Sequence, residues 1–163
     1  MKIIVAVLAV LLSAPAWAQE SVQPIPDKIS WATAAVNPAI AVIRAFQSDH
    51  TQCALWKLAT TGGVASAGLI AQHFIKSPRP CAGSGSAGCE GNGNPSMHSA
   101  FGVVGVSQGI PHGWGVAFSV SMSVGTAGLR VDANRHTPKQ VAMGLLWGGL
   151  AELAGQKLVR CES

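Results

Sequence analysis

From Ala100 to Leu129 the chain carries no Asp, Glu, Lys or Arg. So long an uncharged run belongs inside a protein or against a membrane, and not on a solvated surface. Pro111, His112 and Gly113 divide it, and each half falls short of the roughly 20 apolar residues that a spanning helix needs. Small residues four apart, Gly144 with Gly148 and Ala151 with Gly155, suit close helix contacts in membranes and in dense soluble bundles alike. The expectation is a soluble or peripherally attached domain with tightly packed helices.

Apolar spacing points to helices elsewhere too. Between Trp31 and Phe46, residues Ala35, Ile40, Val42, Ile43 and Phe46 line one helix face, with Pro38 expected to interrupt or restart it. A longer helix is expected over about Ala54–Ile75, ended by Pro78 and Pro80. Three more follow, over about Ser96–Gln108, Trp114–Leu129 and Pro138–Val159. Gln19 to about Ile29 reads as extended because of Pro24 and Pro26, and the Gly-rich stretch Cys81–Asn94 reads as a loop. A loop this long in a small domain usually serves a function. No alternating β-branched run supports a strand, and no internal repeat is present. The fold class expected is all-α, a compact helical bundle.

The first 18 residues have the form of an export signal. Lys2 supplies the positive start, Ile3–Leu12 the apolar stretch and Ala16-Trp17-Ala18 the cleavage site. Cleavage after Ala18 leaves 145 residues, one domain spanning 19–163. The expected location is exported, periplasmic or extracellular, with membrane association open. The mature part keeps ten Lys and Arg against seven Asp and Glu, with no run of positive charge, so no nucleic-acid partner is expected. With 48% hydrophobic and 11% charged residues, disorder is excluded.

Export places Cys53, Cys81, Cys89 and Cys161 where disulfides persist. Four cysteines allow three full pairings. The most local closure is Cys81–Cys89 across the Gly-rich loop, which leaves Cys53 with Cys161. Zinc binding would need close paired spacings, which are absent, so no metal is expected.

Three polar segments interrupt the apolar chain: Lys76-Ser77-Pro78-Arg79-Pro80, Pro95-Ser96-Met97-His98-Ser99, and Arg130 through His136 to Gln140. Singly, each has an ordinary explanation: Arg79 capping helix carbonyls, Ser96 an N-cap, Thr137 a cap with Pro138 in the first helical turn. Together they make an anion site. Arg79 and Arg130 offer planar forks for phosphate oxygens, and Ser96 opens a helix whose N–H groups favour anions. His98 and His136 add a proton donor and a nucleophile, which phosphomonoester hydrolysis requires.

The order Arg-Pro, Pro-Ser-x-His, then Arg, five residues and His resembles the type 2 phosphatidic acid phosphatase superfamily, which includes bacterial class A acid phosphatases and vanadium haloperoxidases. The resemblance spans about Gln72–Gln140. It implies a helical bundle with the three motifs at one end. It makes His136 the nucleophile forming a phosphohistidine, His98 the general acid, and Arg79, Ser96 and Arg130 the phosphate ligands. It implies no cofactor, and a phosphorylated small molecule or lipid phosphate as substrate.

Three positions depart from the pattern. The family's Lys, seven residues before the motif Arg, is Gln72; Lys76, one helical turn on and on the same face, is the substitute expected to reach phosphate. The motif Gly is Met97. The carboxylate expected four residues after the nucleophile, which would orient it, is Gln140; Asp132 and Glu90 lack the family spacing. These departures keep a second reading open, a catalytically weakened relative that binds phosphate or phospholipid headgroups, and a third, a membrane-embedded bundle without a site. His50, His73 and His112 match no motif and read as turn, helix-end or surface residues.

Overall fold

The computed structural model describes residues 25–85, 89, 92–107 and 113–161. The export signal expected at 1–18, with Glu90 and His112, lies outside the described residues. Among the described residues five helices form: α1 (Ile25–Phe46), α2 (Thr51–Phe74), α3 (Met97–Val103), α4 (Gly113–Asp132) and α5 (Pro138–Leu158). Among the described residues no strand forms; one isolated bridge pairs Pro78 with Asn92. The all-α expectation holds.

Several boundaries differ from the expected ones. The segment up to Ile29 is not extended throughout, because α1 already begins at Ile25. Pro26 stands in the first turn, where its missing N–H has no intrahelical partner to lose. Nor does Pro38 break α1, which runs on to Phe46. Beside it, the buried Asn37 amide reaches Gly102 O at 2.6 Å and Ser119 O at 2.9 Å, tying α1 to its neighbours across the proline. α3 stops at Val103, well short of Gln108, and the chain turns through Gly105 at φ +89°.

Short α3 is the hub. It packs on α1, α4 and α5, while α2 lies along α5 and α1 along α4. The small residues of α5 allow this approach: Gly144 faces Ser96 and Ser99, and Gly148 faces Ala100 and Val103. A Cβ at either position would collide with α3 backbone, so these two helices could not close with larger residues there.

The interior is small and polar, and the exterior is large and apolar. Buried positions include Ser30, Asn37, Ala41, Thr61, Ser119, Ser123 and Thr126. Ile43, Phe46, Ile70, Phe74, Leu146, Leu150 and Leu158 are exposed. This corrects the α1 face expected from periodicity: Ser30, Ala34, Asn37, Ala41 and Ala45 point inward, and Ile43 and Phe46 outward. Side-chain hydroxyls inside the bundle are hydrogen-bonded, as in Thr126 Oγ1 to Thr33 Oγ1 at 2.8 Å and Ser123 Oγ to Gly102 O at 2.7 Å.

Both disulfides form. Cys81–Cys89 closes the Gly-rich loop at the end of the bundle where α2 and α4 finish and α5 begins. Cys53–Cys161 joins the start of α2 to the chain after α5, at the opposite end.

Candidate phosphate site

The three polar segments meet at one end of the bundle, each held by a local device. After α4 the chain reverses in a Schellman turn. Asn134 takes the left-handed conformation at φ 54°, Arg135 N bonds Arg130 O, and Asn134 N bonds Val131 O. This turn buries Arg130, Arg135 and His136. Arg135 Nη1 contacts Cys89 Sγ at 2.8 Å, so the disulfide loop is fastened to the turn that carries His136. Thr137 then caps α5 in a capping box with Gln140, with Pro138 in the first turn.

The second segment is anchored by Ser96 N donating to Gln140 O at 3.0 Å. Ser96 is fully buried, and its Oγ accepts from Ser99 Oγ at 3.1 Å. The first segment is held against the loop: Ser77 N donates to Asn92 Oδ1 at 3.1 Å, and Gly93 N to Ser77 O at 2.7 Å.

His136 Nδ1 lies 2.9 Å from Gly93 O. A carbonyl only accepts, so Nδ1 carries the proton and Nε2 keeps its lone pair. Gly93 thus fixes the imidazole tautomer, a role that the motif spacing gave to the position of Gln140. The only hint in the sequence was the Gly-rich character of the loop. There is no space for a side chain at residue 93, since a Cβ would meet the Gln140 amide at 2.8 Å.

Gln140, whose side chain also lies against the His136 imidazole, braces two further segments. Its Oε1 accepts from Thr137 N at 3.0 Å, while Nε2 donates to Ser77 Oγ at 2.9 Å and Pro78 O at 3.0 Å. It therefore joins the start of α5 to the backbone just before Arg79. Gln72 likewise ties segments together. Its amide donates to Pro95 O, and its own carbonyl accepts from Asn92 Nδ2 at 2.8 Å.

Lys76 is not on the helix face expected for it. α2 ends at Phe74, and Lys76 is exposed in the segment beyond. Asp132 is exposed at the end of α4. His50, before α2, and His73, in its last turn, are exposed, as expected for helix-end residues.

The site's electrostatics are those of an anion cradle. Burial first, then the charges of Arg130 and Arg79, push His136 down to about 3, against the opposing pull of the Gly93 carbonyl and the Gln140 side chain. His98 is held well below the ordinary imidazole value by burial, then by Arg130, His136 and Arg79. Its Nε2 is enclosed without a hydrogen-bond partner among the described residues. Two neutral imidazoles beside two guanidiniums suit a dianion, whose arrival would raise both pKa values.

α1 adds residues that no motif predicted. Ser30 Oγ lies 3.5 Å from Arg130 Nη1, and the Trp31 indole meets the His98 ring edge-on, with centroids 3.8 Å apart. Among the described residues, no group of three or more His, Cys, Asp or Glu gathers around a common point. An open hollow of about 600 Å³ lies at the other end, beside Cys53–Cys161, and no motif residue borders it. No family model matches the chain, and neither a curated protein nor a solved structure matches it.

Proposed function

We propose that the protein is an exported phosphatase that hydrolyses phosphate monoesters or lipid phosphates through a phosphohistidine. The observation that carries this reading is the His136 Nδ1–Gly93 O contact, which leaves Nε2 unprotonated beside the positive charges of Arg130 and Arg79. The sequence resemblance to the type 2 phosphatidic acid phosphatase superfamily supports the same assignment. His136 Nε2 attacks phosphorus, the ester oxygen departs, and His98, which takes up a proton from solvent once the bound dianion has raised its pKa, gives that proton to the departing oxygen. Arg79 and Arg130 hold the phosphoryl oxygens, and the buried Ser96 closes the α3 end of the cradle. Water then attacks the phosphohistidine, with His98 taking the proton, and inorganic phosphate leaves.

The apolar exterior supports a membrane-attached protein. Attachment brings a lipid phosphate within reach, and it agrees with two disulfides at opposite ends only if both ends lie in an oxidising compartment. Hydrolysis of 4-nitrophenyl phosphate by the purified chain tests the reading. Turnover that persists in chelator and is inhibited by vanadate supports it. Loss of activity in chelator, restored by a divalent ion, counts against it. Vanadate binding without turnover would instead favour a weakened relative that binds phosphate, for which the absence of an orienting carboxylate on His136 is the specific ground.

A further inference from the structure

The geometry points to α1 as a fourth wall of the site, with the half-exposed face of Trp31 forming a subsite for an apolar or aromatic leaving group. The inference rests on the phosphatase reading and adds the class of ester it prefers.

Trp31 stands beside the proton donor of that reading. Its ring meets His98 at a centroid distance of 3.8 Å with the planes at 72°. The indole is 38% exposed, so one part of it packs against His98 while another part stays open to solvent. The residue before it, the buried Ser30, reaches the phosphate-holding Arg130. The first turns of α1 therefore touch both the group that grips phosphate and the group that protonates the departing oxygen. An ester placed with its phosphoryl group between Arg130 and His136 must direct its leaving group past His98. Trp31 is the aromatic surface at that exit.

The His98 Nε2 is enclosed and has no partner among the described residues, so an ester oxygen brought to it would supply the missing hydrogen bond. Immediately beyond that oxygen the substrate meets an indole. A flat or apolar leaving group gains dispersion and ring contact there, whereas a polyol would lose hydration against an apolar face. Trp31 also limits the freedom of the His98 ring, so it acts as a positioning residue as well as a wall.

The test uses binding, so that it reads the subsite even if turnover is slow. The affinities of phenylphosphonate and methylphosphonate for the full exported chain are compared by calorimetry, with vanadate as the reference for the phosphate cradle. The wild type should prefer phenylphosphonate by about three- to tenfold, the scale of one ring contact. Trp31→Leu, which keeps apolar volume without the ring, should reduce that preference to less than about twofold, and Trp31→Phe should retain most of it. In 1H–13C spectra of His98, Trp31→Leu should also remove the ring-current shift that an indole at this distance imposes. No preference in the wild type, or an unchanged preference in Trp31→Leu, overturns the subsite while leaving the phosphatase reading intact. If neither vanadate nor methylphosphonate binds the wild type, the phosphate site itself fails and the subsite fails with it.

Discussion

At the scale of single residues, the account depends on a backbone carbonyl where a carboxylate was expected. In the proposed reaction His136 becomes cationic as phosphorus is attacked, and the Gly93 carbonyl stabilises that charge with a hydrogen bond weaker than a carboxylate's. Gly93→Ala inserts a methyl against the Gln140 amide and displaces the loop. The expected result is a fall in kcat of on the order of tenfold or more, since tenfold needs only about 1.4 kcal/mol, with vanadate affinity less affected. Gln140→Asp should not raise kcat, because any gain from a carboxylate beside His136 is offset by loss of the amide bonds to Ser77 and Pro78 that hold the segment before Arg79. Steady-state kinetics of both variants check this. Neither role was legible in the sequence. The motif spacings located His136 and Gln140, but the Gly93 contact crosses 43 residues of chain and depends on the fold of a loop without periodicity.

The two lowered histidines also set a pH dependence. Each is neutral in the folded protein at pH values where it would be charged in the unfolded chain. The unfolded state therefore binds more protons below about 6.5. Stability is full above that value and is lost as pH falls toward 3, the folded value of His136. Urea midpoints measured at pH 7 and pH 4 should show the loss, and His136→Asn should reduce it. Bound phosphate offsets the loss by binding only the folded form. For catalysis, burial and the neighbouring positive charges keep both imidazoles neutral into the acid range, so the protonated fraction of His98 falls as pH rises. Activity on poor leaving groups should thus be highest in the acid range, and His98→Ala should remove that advantage.

Among the elements, the start of α5 does the most to organise the site. Its capping box satisfies the first-turn N–H groups, and the same Gln140 side chain secures the segment that leads into Arg79. Thr137→Ala should lower stability by about 1 kcal/mol, read as a few degrees in Tm. Helix existence was legible from apolar spacing and from the proline and glycine breaks. The orientation of α1 was legible only in part: Val42 does pack against the core, but Ile43 and Phe46 point outward, and the buried stripe is Ser30, Ala34, Asn37, Ala41 and Ala45. The periodic signal is carried by size and polarity together, and here the inside of the bundle is filled by small and hydrogen-bonded groups. Pro38 misled for a related reason, because the Asn37 contacts to α3 and α4 hold the helix together where a proline alone would end it.

For the whole molecule, the two disulfides act on different properties. Cys53–Cys161 closes 108 residues, and in the loop-entropy model a crosslink of that span contributes roughly 4–5 kcal/mol, against about 2–3 kcal/mol for the short Cys81–Cys89 closure. Cys53→Ser with Cys161→Ser should therefore reduce the melting temperature more. Cys81→Ser with Cys89→Ser should reduce activity more, since Cys89 touches Arg135 beside His136. Intact mass before and after reduction should show two disulfides in the exported protein. Around the circumference, the long helices expose Ile, Leu, Phe and Val along their lengths. Such a surface should keep the protein in the membrane fraction through high-salt washing and release it into mild detergent. Full recovery in the soluble fraction would remove the membrane part of the proposal.

In the proposed reaction His136, set by Gly93, is the group that receives phosphate. Acid-labile phosphohistidine can be trapped by rapid alkaline quenching of the exported protein during turnover of an aryl phosphate, then located by peptide mass mapping. The expected result is phosphate on His136, its loss in His136→Ala, and its accumulation in His98→Ala with a good leaving group, where breakdown lacks its base. Turnover with no phosphate on His136, or with phosphate on another residue, contradicts it.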